Sequence, residues 1–196
     1  VSKLRSLGFT TASDVGTYLL RVQNEIIDDQ GTMTLMNPRT EIRGISAIQD
    51  YCIHNDINKL LNSPTYSDSV SMENKKDMIH PDTKKKVEEA IFHDFHFSMA
   101  LKTEEQYNIK SPHGITKAIL DDWMKSKKQF RYINRVTFTH PDYPVRIDMS
   151  IVKNPKRPNS NSFVRDYTTA EAGVFQANET YEIEIEVDNM LIGMGT

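Results

Sequence analysis

Residues 179–189 read ETYEIEIEVDN. With a period of two they place Glu182, Glu184 and Glu186 on one face and Ile183, Ile185 and Val187 on the other, which is a strand pattern. Same-face neighbours on a strand lie roughly 7 Å apart. Like charges stacked this way cost stability unless a partner offsets them. Whatever fold this chain adopts must bring cations to that row.

The same alternation recurs upstream. In 129–139, Phe130, Tyr132, Asn134, Val136 and Phe138 oppose Arg131, Ile133, Arg135, Thr137 and Thr139. In 145–152, Val145, Ile147, Met149 and Ile151 oppose Arg146, Asp148 and Ser150. In 95–102, Phe95, Phe97, Met99 and Leu101 oppose His96, Ser98, Ala100 and Lys102, on a strand read as running through 95–107. In 17–25, Tyr18, Leu20 and Val22 oppose Arg21, Gln23 and Glu25, and in 40–44 Glu41 and Arg43 share a face. Segment 32–36 reads as a strand returning after the turn DDQG, and 40–45 as the next strand; the tight turn PDYP joins 129–140 to 145–153.

Two stretches read as helices. In 46–61, Ser46 and Gln49 form a capping box over a stripe of Ile48, Cys52 and Ile53; in 114–128 the stripe is Ile115, Ile119, Leu120 and Trp123. Residues 62–77 read as a polar loop with at most a short strand, 154–162 as a flexible loop, and 163–178 has no clear assignment. Short turns between successive strands favour antiparallel pairing. The expected class is α+β, built as a single domain over 1–196 on one large antiparallel sheet or barrel.

Bulk properties narrow the function. The 196 residues carry a net charge of −3, so no global basic field points to nucleic acid. The single cysteine, Cys52, excludes an intramolecular disulfide framework and a cysteine-rich zinc site, and fits an intracellular, reducing compartment. No apolar run approaches the roughly 20 residues of a membrane span. Neither a nucleophile elbow nor a phosphate-binding P-loop is present. The chain opens inside a helix tail closed by Gly8 and stops directly after the acidic strand, and both ends read as cut from something longer.

A sheet with one solvated face produces much the same alternation. Such faces usually mix charges along each strand, whereas here one strand is wholly acidic and others contribute mainly Arg and Lys. Segregated charge asks for cations beside the glutamates and anions beside the arginines. A divalent metal bound to phosphate meets both needs, because carboxylates suit Mg²⁺ or Mn²⁺ and guanidinium forks suit phosphate oxygens. If the sheet closes with its charged face inward, the interior is lined by both signs, and helices 46–61 and 114–128 must cover the apolar exterior.

The ordered set FSMALKTEE (97–105), FRYINRVTF (130–138), VRIDMSIVK (145–153) and YEIEIEV (181–187), with a weaker match in TEIRGISAIQDYC (40–52), resembles the triphosphate tunnel metalloenzymes. Within them it is most similar to the RNA 5′-triphosphatase domain of large DNA virus mRNA capping enzymes. The resemblance implies an antiparallel β-barrel forming a triphosphate tunnel, with a charged interior and a few covering helices. It implies Mg²⁺ or Mn²⁺ held by Glu182, Glu184 and Glu186, and a triphosphate held by Lys102, Arg131, Arg135 and Arg146. Catalysis is assigned to Glu184, Glu186, Arg135 and Asp148, with Asp148 orienting a basic neighbour or a metal-bound water. The implied reaction is removal of the γ-phosphate from 5′-triphosphate RNA, the first step of mRNA capping. A covalently linked guanylyltransferase domain is the implied partner, and the host cytoplasm, a viral factory or the virion the implied location.

Two departures stand out. Ile133 occupies a position where the family often has a basic residue. The family's first E-x-E strand is also not found, and NEIIDD (24–29) substitutes poorly, so the first strand is expected to be missing from this chain. Inorganic or other small triphosphates remain an alternative substrate, and a non-catalytic phosphate-binding or interaction module remains a third reading. Other features read as structural: His93 and His96 point to opposite faces, and Cys52 and Trp123 read as packing. The clusters KNPKRP (153–158) and KSKK (125–128) read either as solvated charge or as an electrostatic guide for RNA.

Overall fold

A computed structural model of the chain describes residues 1–27, 31–160 and 162–187. Residues 28–30, on which the expected DDQG turn falls, residue 161 and the residues from Asp188 onward lie outside the described residues. In chain order the strands are β1 Thr17–Ile27, β2 Met33–Leu35, β3 Pro38–Arg43, β4 Val70–Asp77, β5 Ala90–Phe92, β6 Phe97–Met99, β7 Lys102–Gln106, β8 Lys128–Thr139, β9 Val145–Lys153 and β10 Glu179–Val187. The helices are α1 Ser2–Ser6, α2 Ile45–His54, α3 Ile57–Leu61, α4 Gly114–Asp121 and α5 Thr169–Ala172.

The main sheet runs β10-β9-β8-β1-β3-β4-β7 with every neighbouring pair antiparallel, and β2 pairs with the far end of β1. Central β1 carries one wing on each side. The later wing is the meander β8-β9-β10, whose long alternating strands and tight turn were legible in the sequence. The chain crosses from edge strand β7 back to the centre through α4. The architecture is therefore α+β, a strongly curled antiparallel sheet forming an open half-barrel. Among the described strands β7 and β10 are its two edges and do not pair with each other.

The helices sit on the convex side. Leu20 and Val22 of β1, Ile42 of β3, Met72 of β4 and Phe130 of β8 form one buried outer row. They pack against Ala47, Ile48 and Tyr51 of α2, Ile57 and Leu60 of α3, and Ile119, Leu120 and the following Trp123. Tyr51 and Trp123 meet edge to face, with ring centroids 6.2 Å apart. Burying these side chains supplies the main favourable term of the fold.

Several local expectations are corrected. The helix expected over 46–61 is two. Asn55 takes the left-handed conformation, with φ 53°, and ends α2; Asp56 then caps α3 by accepting from the Asn58 amide at 3.0 Å. Gly44, not a Ser46–Gln49 box, precedes α2. Tyr51, rather than Ile53, completes its buried face, and Ile53 is exposed. Asn55 is also a junction: its carbonyl accepts from the Trp123 indole and its side-chain oxygen from the Thr169 amide. Residues 62–77 contain the full strand β4, hidden because only Val70 and Met72 mark its apolar face. The strand expected over 95–107 breaks at Ala100–Leu101. β6 pairs with β5 in a separate hairpin, while β7 joins β4. His93 lies in a 3-10 turn and His96 in a left-handed turn, so neither sits on the strand the sequence suggested. Helical cover is also incomplete. Ile115 is exposed, as are Tyr181, Ile183, Ile185 and Val187 on the convex face of β10.

Lys128, at the start of β8, is fully buried. Its ammonium donates to the Ser126 carbonyl at 2.7 Å and lies 5.6 Å from the centre of the Trp123 ring. Burial pushes its pKa down to about 8, with Asp56 and Glu171 only partly opposing. The unfolded chain, with lysine near its ordinary value of about 10.4, binds more protons between these limits, so this residue's contribution to stability rises with pH across that window. In denaturant melts of the parent and Lys128→Met, the difference is expected to stay constant below about pH 7.5. It should then move in the parent's favour from about pH 8 towards about pH 10.4.

Candidate functional site

The curl brings side chains two strands apart into contact on the concave face, and this answers the acidic row. Three glutamates of β10 each meet an arginine: Glu182 meets Arg131, Glu184 meets Arg135 at 2.7 Å, and Glu186 meets Arg146 on the adjacent strand, while Glu179 lies 3.6 Å from Lys153. Arg131 and Arg135 lie on β8 and reach over β9. Ser150, opposite Arg135 on β9, is small enough to let the guanidinium pass and accepts from Arg135 Nε at 3.1 Å.

Asp148 is the buried anchor of this wing, with its side chain 2 % exposed. Directly opposite Glu184 in the β9–β10 register, it would repel that carboxylate if nothing stood between them. The Arg135 fork does: Nη1 lies 3.1 Å from Asp148 and Nη2 2.7 Å from Glu184. Asp148 also accepts from Thr137 Oγ1 at 2.6 Å and lies 3.6 Å from Arg146 Nε. One carboxylate thus orients both arginines.

The other wing repeats the device. Glu41 of β3 accepts from Arg21 at 2.9 Å and from Arg43 at 3.1 Å, and Arg39 donates to Glu73 of β4 at 2.7 Å. Burial pushes the Glu41 carboxyl up, but the Arg21 hydrogen bond and the charges of Arg21 and Arg43 outweigh it and leave Glu41 below the usual range. Lys75 of β4 lies 2.7 Å from Glu104 of β7 and 3.5 Å from Glu186 of β10. Its hydrogen bond holds Glu104 below the ordinary carboxylate range. The Lys75–Glu186 contact joins the two wings across the opening.

Between the wings lies a cavity of about 300 Å³. Its cationic walls are Arg21, Arg39, Arg43, Lys75, Arg135 and Arg146, and its anionic walls Glu41, Glu73, Glu104, Glu184 and Glu186. Six cations against five carboxylates, with Asp148 beneath, leave it close to neutral. Three larger hollows elsewhere among the described residues, one beside Met33 and Ile119, one beside Ile48 and Phe175 and one beside Leu35 and Tyr107, gather no comparable chemistry.

The sequence-expected residues divide accordingly. Arg135, Arg146, Glu184 and Glu186 line the cavity, with Asp148 behind them. Arg131 lines an adjoining pocket, where burial pushes its guanidinium pKa down against the pull of Glu182. Lys102 is not part of the cavity wall. It pairs with Asp77 near the exposed start of β7, because the break after β6 removes the long strand that was to carry it inward. Ile133 does face the concave side, packed with Leu19 and Val152 in a buried apolar band between Arg131 and Arg135. Glu25 pairs with Arg165 at 2.7 Å. Arg39, Glu73, Lys75 and Glu104 went unnoticed in the sequence. For Glu73 and Lys75 the available signal was the faint alternation of 70–75.

The carboxylate oxygens suit a hard divalent cation. Among the described residues, however, no three His, Cys, Asp or Glu side chains gather about one point. Glu182, Glu184 and Glu186 are each turned onto an arginine, so the set is a row of ion pairs rather than a preformed cage. Comparison with protein-family models, curated proteins and solved structures finds no match to this chain.

Removing one partner of a buried ion pair strands the other. Asp148→Ala is therefore expected to cost about 3–5 kcal/mol, read from denaturant midpoints. Glu184→Ala, on a side chain 42 % exposed, is expected to cost no more than about 1 kcal/mol. Equal losses would contradict the anchoring role of Asp148.

Proposed function

We propose that this cavity binds a triphosphate and that the chain is a metal-dependent RNA 5′-triphosphatase, releasing the γ-phosphate of triphosphate-ended RNA in the first step of mRNA capping. The observation that carries the reading is the convergence of Arg135 and Arg146 with Glu184 and Glu186 on one cavity. A guanidinium fork that holds a carboxylate can hold a phosphate with the same bidentate geometry. An entering triphosphate can therefore take over the arginines, and the released glutamates can face the Mg²⁺ or Mn²⁺ that accompanies the polyphosphate. When bound, such a cation supplies Lewis-acid polarisation of phosphoryl oxygens.

The protein's own contribution is positioning and charge. Asp148 keeps Arg135 and Arg146 aimed at the cavity while they exchange a glutamate for phosphate oxygens, and their donors stabilise charge on the phosphoryl group passing to water and on the departing diphosphate. Arg131 and Glu182 extend the row beyond Ile133. The product, diphosphate-ended RNA, is a substrate for guanylyl transfer, so a linked guanylyltransferase is the partner this reading implies.

Phosphate release from triphosphate-ended RNA, a nucleoside triphosphate and inorganic triphosphate, each with Mn²⁺ and with chelator, tests the reading. Manganese-dependent release from RNA is expected, falling by about 100-fold or more in Glu184→Gln, Glu186→Gln and Arg135→Lys. Release from inorganic triphosphate alone would indicate a small-triphosphate hydrolase. Binding of triphosphates without turnover of any would indicate a phosphate-binding module. Absence of both binding and turnover would remove the assignment.

A further inference from the structure

Beside the charged cavity is a second, smaller one of about 130 Å³. The two share Arg21 and Arg39 in their walls, so they are adjoining compartments of one concave face. Their chemistry differs. The smaller compartment is completed by Arg131, the amides Gln23, Gln129 and Asn154, and the ring of Phe163. No carboxylate lines it among the described residues. Gln23 and Gln129 face one another across the β1–β8 ladder, and Arg21 and Arg131 form the next same-face pair. Arg21 is held by Glu41 and Arg131 by Glu182, carboxylates that stand outside the compartment, so the two guanidiniums present their remaining donors to it.

Two polar atoms of this wall are buried without a hydrogen-bond partner among the described residues: Arg131 Nε, a donor, and Asn154 Oδ1, an acceptor. Such orphans cost roughly 1–3 kcal/mol each when nothing satisfies them. A phosphate dianion could satisfy the donor but offers the acceptor nothing. A ligand with both donors and acceptors and a flat face fits the wall as a whole, and a nucleoside has all three. Aromatic rings stack on bases, and amide side chains pair with base edges or ribose hydroxyls.

We infer that this compartment holds the first nucleoside of the triphosphate-bearing substrate. The nucleoside lies toward Phe163 and the terminal phosphate toward Arg146 and Glu186. The inference rests on the proposed triphosphate site and adds to it a subsite for the nucleoside that bears the triphosphate, whether free or at the end of an RNA. The loop that follows Asn154 suits the RNA case. It carries Lys156 and Arg157, and Lys156 Nζ lies 5.6 Å from the centre of the Phe163 ring, which places cations where the next phosphates of a chain would run.

Equilibrium binding of inorganic triphosphate, a β,γ-imido nucleoside triphosphate and a short 5′-triphosphate RNA, measured with Mg²⁺ present, tests this. Phe163→Ala and Gln129→Ala are each expected to weaken the two nucleoside ligands about fivefold or more and to leave inorganic triphosphate within about twofold. Gln129 carries the test if the Phe163 variant melts early. Equal effects on all three ligands, or no effect on any, would overturn the inference while leaving the triphosphate site standing. Failure of the parent protein to bind inorganic triphosphate would instead overturn the site on which it rests. A Lys156→Glu, Arg157→Glu double variant separates the two sources. Weakened RNA binding alone identifies RNA, and unchanged RNA binding identifies the free nucleotide.

Discussion

The structure depends on the pairing of guanidinium and carboxylate groups across a concave surface. A flat sheet with this sequence would leave Glu182 and Glu184 unrelieved, because Arg131 and Arg135 stand two strands away on β8; only Glu186 faces an arginine, Arg146, on the neighbouring strand. Curling shortens those spans. The same curvature turns the opposite face convex, where Leu20, Ile42, Met72 and Phe130 bury themselves under α2, α3 and α4. Ion pairing on one side and apolar burial on the other thus favour a single shape. Neither suffices alone, since surface ion pairs contribute little and an apolar face fixes no particular curvature.

Asp148 shows how local placement fixes the geometry of the cavity wall. It lies at the mid-point of β9, opposite Glu184 and beside Thr137, and its burial makes its partners structurally obligatory. Arg135 and Arg146 are held in place as much by the stability of the sheet as by any ligand. The Leu19–Ile133–Val152 band has the complementary effect. Apolar residues set into a charged floor divide the row of arginines into two stations, and the two compartments form on either side.

Legibility in the sequence followed strand length. β8, β9 and β10 alternate over nine or more residues and are joined by a tight turn or a long loop, so their faces, and hence Arg135, Arg146, Asp148, Glu184 and Glu186, could be assigned from parity alone. Ile133 was placed on the charged face for the same reason. Lys102 was misplaced because parity holds only while a strand continues, and Phe97–Gln106 is two short strands in different sheets. β4 escaped notice because Asn74, on its buried face, hides the apolar row. The break at Asn55 depends on a left-handed residue and an Asp cap, which helical periodicity does not report. What no local pattern could supply is the pairing across the opening, since Lys75 and Glu186 are neighbours only through curvature.

The near-balance of charge in the cavity has a kinetic side. Fields from alternating signs cancel within a few ångströms, so the hollow exerts little pull on a distant anion. On the proposed reading, capture of a polyphosphate occurs at contact, one guanidinium at a time, each trading its internal carboxylate for an incoming oxygen. Entry of a compact polyphosphate should then be slower than long-range steering would permit and only weakly sensitive to ionic strength, unlike uptake by a uniformly basic groove.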